Sequence, residues 1–205
     1  METETTRRDL AAIRALMEES RAHVSGTGRY WILWGVVSIF GFVVTWLGAR
    51  GAVRLPLDLS WIWGGLLALG WAGSAWMGWR GERAAAVVNE VTRIVYAIWV
   101  GLGVVLTVGA LAGMITPLIS VEALPGLLAV TVGAGYLPTG SIRGLGWLRW
   151  LAGVWWAGGA WMLLRPGLHT LLVLGAMVVA LQIVPGIVLE RSGAPGRSSP
   201  ARGTP

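Results

Sequence analysis

Ile94–Thr116 reads IVYAIWVGLGVVLTVGALAGMIT, 23 residues without a charge, bounded by Arg93 and Pro117. A helix rises about 1.5 Å per residue, so roughly 20 residues match a hydrocarbon layer about 30 Å thick. Water does not reach backbone groups at that depth, so a segment placed there must satisfy its own N–H and C=O groups as a helix. The stretch predicts a membrane-spanning helix. The rest of the chain is organised around more of the same kind.

Of the 205 residues, 55% are hydrophobic and 13% charged. A soluble domain carries about 25% charged residues, so the composition belongs to the membrane class. The mean hydropathy of +0.67 agrees. The chain has no cysteine, which excludes disulfides and thiolate chemistry. All 16 basic residues are arginine, which removes Schiff-base lysines and any P-loop.

Residues 1–28 are polar, with five acids (Glu2, Glu4, Asp9, Glu18, Glu19) and four arginines (Arg7, Arg8, Arg14, Arg21). They lack the basic start followed at once by an apolar core that marks a secretory signal. The spacing of Leu10, Ile13, Met17 and Val24 predicts an amphipathic helix over about 7–24. Thr6 and Asp9 resemble a capping box, and Arg14 and Glu18 form an i,i+4 pair on the polar side. Such a helix is either a solvated lead-in or a docking element that presents Leu10, Ile13, Arg14, Met17 and Glu18.

Six spans follow within a membrane domain of residues 29–190: about 30–49, 59–79, 94–116, 119–137, 148–164 and 168–189. Their short links predict an all-α polytopic fold of three antiparallel hairpins. Most of the 14 Trp residues fall near span ends, the aromatic-belt pattern of amphipathic indoles at headgroup level. The tail, 191–205, is rich in Gly, Pro and Ser and is expected to be disordered. On alternating sides, 13 arginines fall on the side of the termini, and Arg50, Arg54 and Arg165 on the other. Positive residues stay inside, so both termini are expected in the cytoplasm. This asymmetry accounts for the net charge of +6 without a nucleic-acid partner.

Ionisable groups within a membrane are candidate functional residues because burying them is costly. Glu122, Arg165 and His169 fall near the outer ends of their spans, where they either reach interfacial water or form one cluster. Gln182 lies deeper and fits an interhelical hydrogen bond or a ligand contact. Pro138 and Pro185 sit near the inner ends of the fourth and sixth spans. Proline there normally ends a helix. Gly/Pro-broken segments in matching positions can instead mark a transport site. With two histidines on opposite sides and no intramembrane aspartate pair, neither a metal centre nor a cofactor site nor a catalytic set is expected.

The run Ile13-Arg14-Ala15-Leu16-Met17-Glu18-Glu19-Ser20, followed by Ser25-Gly26 and by Gly35 in the first span, resembles a group of small bacterial multi-pass membrane proteins. These open with an IR-x-LME-x-S stretch and an SG before their first helix, and the likeness covers roughly residues 10–41. It implies a bacterial inner-membrane protein of about six helices. The group carries no assigned activity, so no catalytic or binding residues follow from it. Two functions are expected on these grounds. The first is an accessory or regulatory membrane protein, without catalysis, acting on a protein partner through residues 7–24. The second is a small transporter or channel for a neutral or lipophilic compound. Small residues on many helix faces also permit a homo-oligomer within the bilayer.

Overall fold

The computed structural model describes residues 28–54, 56–84, 90–116, 120 and 122–192. The amphipathic segment 7–24 and the tail from 193 lie outside the described residues. Every regular element among those described is helical. The helices are α1 (Gly28–Ala49), α2 (Leu59–Ala84), α3 (Glu90–Ile115), α4 (Leu124–Ile142), α5 (Gly146–Leu164), α6 (His169–Val178) and α7 (Val184–Ser192). A single π turn, Val179–Ile183, joins α6 to α7, so the two form one interrupted rod.

Cross-helix contacts run in opposite directions along each consecutive pair. Trp63 reaches Thr45 and Trp34 reaches Ser74 between α1 and α2. Gly113 meets Leu124, and Gly135 meets Trp99, between α3 and α4. Gly126 meets Gly159, and Gly140 meets Leu148, between α4 and α5. The rod returns beside α1, where Gly28 lies against Gly186 and Arg29 pairs with Glu190. The result is an antiparallel bundle. The starts of α1, α3 and α5 share one end with the finish of α7.

Two of the turns are fixed by glycine at positive φ. After α1, Gly51 (φ 67°) lets Ala52 N–H donate to Leu47 O and Gly51 N–H to Gly48 O. After α4, Gly144 (φ 66°) does the same for Leu145 onto Gly140 O and Gly144 onto Ser141 O. Both are Schellman stops, in which a left-handed residue satisfies carbonyls the helix end would orphan.

Three helices, Gly28–Ala49, Thr92–Gly113 and His169–Arg191, are long and apolar enough to cross a membrane. Only 22%, 11% and 22% of their most apolar windows is buried. Much of their apolar surface faces outward, where only an apolar medium would accept it. At 19 residues each, α4 and α5 are about 28 Å long.

The two prolines depart from the expectation that each ends its helix. Pro138 lies inside α4, which continues to Ile142, and the rod continues beyond Pro185 to Ser192. Pro125 stands in the first turn of α4, where the N–H it lacks would have had no intrahelical acceptor. The fourth helix therefore starts and ends five residues later than the spacing of apolar residues implies, and Glu122 falls in the turn before it.

The α4–α5 seam gives a direct test of the packing. A methyl on Gly159 would come within 2.7 Å of Val130 Cγ2 and 3.0 Å of Gly126 O, whereas one on Gly153 would meet nothing within 4 Å. Gly159→Ala is expected to destabilise by about 1–3 kcal/mol. Gly153→Ala should be neutral or stabilising by up to about 1 kcal/mol through helix propensity. Thermal unfolding in detergent measures both, and equal shifts would refute the seam.

Candidate functional site

A buried indole N–H needs an acceptor, and in an apolar medium most backbone carbonyls of neighbouring helices are already taken. Four indoles meet this need with hydroxyls, Trp156 Nε1 donates to Val130 O at 3.1 Å, and Trp31 Nε1 and Trp155 Nε1 are buried without an acceptor among the described residues. Trp63 Nε1 donates to Thr45 Oγ1 (3.0 Å), Trp34 to Ser74 Oγ (3.0 Å), Trp71 to Thr107 Oγ1 (3.1 Å) and Trp99 to Thr139 Oγ1 (3.0 Å). One turn before each hydroxyl stands a glycine: Gly41, Gly70, Gly103 and Gly135. A methyl at any of these would come within 2.5–3.1 Å of the same indole that the hydroxyl accepts. The glycine therefore admits the ring and the hydroxyl receives its N–H. The four rungs link α1 to α2 twice, α2 to α3, and α3 to α4.

The sequence carries this as four G-x-x-x-[ST] stretches, GFVVT, GWAGS, GVVLT and GYLPT, starting at 41, 70, 103 and 135. Reading the tryptophans chiefly as an interfacial belt passes over the pattern. Its signal was the recurrence of a small residue and a hydroxyl four apart in four consecutive helices. Thr45 and Thr139 also donate back to Gly41 O and Gly135 O, both at 2.7 Å, so each hydroxyl both gives and receives.

The centre of the bundle is an aromatic group. Tyr136 lies 4.6 Å from Trp31, 5.5 Å from Trp99 and 6.2 Å from Trp155, ring centre to ring centre. Tyr136 and Trp155 are fully buried and Trp31 nearly so. Tyr136 Oη donates to Leu181 O at 2.7 Å, in the π turn. Pro185 follows Leu181 by four residues, so the N–H that would ordinarily bond that carbonyl is missing. The π turn carries Val184 N–H to Val179 O instead. Tyr136 thus supplies, from α4, the donor that the rod lacks. Gln182 completes the junction by donating to Trp31 O at 3.1 Å.

Glu122, Arg165 and His169 are all exposed and lie at the end of the bundle where α4 starts, α5 finishes and α6 starts. Among the described residues no ion pair or hydrogen bond joins any of them to another. His169 sets its ring edge against Trp161 at 5.7 Å. Gln182 stands apart from these three, within the central junction. Leu10, Ile13, Arg14, Met17 and Glu18 lie outside the described residues. Among those described, no three His, Asp or Glu side chains gather as metal ligands would.

At the arginine-rich end, Arg29 Nη2 pairs with Glu190 Oε1 at 3.1 Å across α1 and α7. The second oxygen of Glu190 lies against Gly28, at the positive end of α1. Arg143 follows the last turn of α4, half-buried, and desolvation lowers its guanidinium below the ordinary arginine value. A cation suits this helix C-terminus.

Fold and site together define a helical protein with three apolar, membrane-length helices and an interior cross-linked by aromatic hydrogen bonds. No family model, curated protein or solved structure matches the chain.

Two substitutions test the junction. Tyr136→Phe leaves Leu181 O without its donor in a dry interior and is expected to cost about 1–3 kcal/mol. Pro185→Ala restores a backbone N–H four residues after Leu181, so the double variant should lose less than Tyr136→Phe alone. A double-mutant cycle by chemical unfolding reads the coupling, and strict additivity would show that Tyr136 does not substitute for the missing donor. Thr139→Val should cost about 0.5–2 kcal/mol by orphaning Trp99 Nε1, and the same unfolding assay measures it.

Proposed function

We propose that the chain is a six-span integral membrane protein that acts by association with a protein partner, without catalysing a reaction. All six helical units cross the bilayer as three hairpins, and both termini lie on the arginine-rich, cytoplasmic side. The resemblance of residues 10–41 supports a bacterial inner membrane as its location. One observation carries the reading of association. Apart from Trp31 Nε1 and Trp155 Nε1, which are buried without a partner among the described residues, the polar groups of the interior are mostly engaged in holding helices to each other, through Trp–Ser/Thr rungs, Tyr136 to Leu181 O and Gln182 to Trp31 O. The chemically patterned part of the chain is then its amphipathic segment 7–24, with Leu10, Ile13 and Met17 as the apolar contacts and Arg14 and Glu18 beside them. That segment leads directly into α1. The first turn of α1 is held to α7 by the Gly28–Gly186 contact and the Arg29–Glu190 pair, which gives it a fixed base.

A second reading is transport of a neutral or lipophilic compound between α4 and the rod. The π turn beside a proline-containing helix favours it, because such interruptions recur at functional sites. Against it, Tyr136 fills the point where the two elements meet.

Co-purification from native membranes in mild detergent separates these readings, comparing the full chain with one lacking residues 1–25. A stoichiometric partner lost on truncation is the expected result, and replacing Leu10, Ile13 and Met17 with Ser should abolish the association likewise. Isolation of the protein alone in both forms, together with flux of a neutral compound in proteoliposomes, would establish transport instead.

A further inference from the structure

We propose that the groove at the start of α5, lined by Gly146, Arg149 and Trp150, binds the phosphate headgroup of an anionic phospholipid. The inference rests on the membrane reading above and adds a specific ligand to it. The groove holds about 350 Å³, room for a glycerophosphate headgroup. Its cation, Arg149, is exposed, and the stem of the side chain packs on its neighbours. The backbone N and Cγ of Arg149 lie 3.0 Å from where a methyl on Gly140 would stand, so the stem of the side chain rests on α4. Nη2 lies 3.5 Å from the corresponding position on Gly146, so the guanidinium folds back over the α4–α5 turn.

Three other arginines near helix ends have protein partners. Arg29 pairs with Glu190, Arg50 stacks on Trp46 at 4.4 Å, and Arg80 stacks on Trp76 at 4.0 Å. Arg149 makes no ion pair and no such stack among the described residues. No Asp or Glu occurs between Glu122 and Glu190 in the sequence, so neither α4, α5 nor their turn supplies a counter-charge. The wall of the groove indicates what does. Trp150 is 80% exposed, and an exposed indole at a helix end settles at the level of the headgroups. The groove thus lies where phosphates are concentrated, and the planar fork of arginine matches a phosphate in two hydrogen bonds.

Native mass spectrometry of the full chain in mild detergent tests this, with phosphatidylglycerol and phosphatidylcholine of identical acyl chains as probes. The wild type should retain one phosphatidylglycerol in preference to phosphatidylcholine. Arg149→Gln should weaken that retention about fivefold, the effect of one arginine near an anionic headgroup. Phosphatidylcholine retention should not change, and neither should phosphatidylglycerol retention in Arg54→Gln, an exposed arginine at the opposite end. If Arg149→Gln fails to fold, Arg149→Lys, which keeps the charge and loses the fork, should show an intermediate loss. Equal retention of the two lipids, or no effect of either substitution, overturns the proposal. Displacement by millimolar inorganic phosphate would assign the groove to a free anion and overturn the lipid source. A preference seen only after removal of residues 1–25 would assign it to the chain's own acidic segment. Failure of the protein to sediment with membranes would refute the membrane reading itself; membrane residence with no lipid preference refutes only the headgroup site.

Discussion

A donor buried in an apolar medium must find an acceptor, and this constraint organises the bundle. An indole brings a large apolar surface and one N–H that cannot be left unpaired without a cost of about 1–3 kcal/mol. Serine and threonine answer it from the next helix, and the glycine one turn earlier lets the ring lie close enough to be answered. The same contact is thus both packing and hydrogen bonding. It also fixes rotation and register, because an indole that slides by one turn loses its acceptor and meets a side chain where the glycine stood. Between helices that lipid can solvate equally well, small residues and polar pairs are what make association specific.

The rod of α6, the π turn and α7 meets the constraint from the other side. Here an acceptor is orphaned, because Pro185 has no N–H for Leu181 O. A helix in water would leave such a carbonyl to solvent. In this interior Tyr136 covers it from α4, and the extra residue of the π turn carries the chain past the proline without ending the helix. Gln182 in the same turn ties the rod to the carbonyl of Trp31. Five elements therefore converge on one junction: α1 through Trp31, α3 through Trp99, α4 through Tyr136, α5 through Trp155, and the rod through Leu181 and Gln182.

The ends of the bundle have a different character. Glu122, Arg165 and His169 are exposed where α4 starts, α5 finishes and α6 starts, while the opposite end holds the Arg29–Glu190 pair, Arg143 and Arg149. An exposed ion pair such as Arg29–Glu190 contributes little to stability, on the order of 0–1 kcal/mol. Its consequence is positional, since it joins the first turn of α1 to α7.

The helical class and the number of helical units were legible in the residues alone. These depend on local properties: runs of apolar residues and charges that cannot be buried cheaply. The glycine–hydroxyl spacing was also legible at 41, 70, 103 and 135, though which indole each pair receives was not. That choice depends on how neighbouring helices rotate and slide against one another, and no single segment encodes it. The tertiary structure alone decided that Pro138 and Pro185 lie within helices. A proline ends a helix unless something distant satisfies the carbonyl it orphans, and the group that does so for Pro185 is a tyrosine 45 residues away from Leu181. It likewise decided that Gln182 bonds the backbone of α1, 151 residues away in the chain. Backbone hydrogen bonds in a helix close over four or five residues and can be read locally; side-chain hydrogen bonds between helices exist only after the bundle has formed.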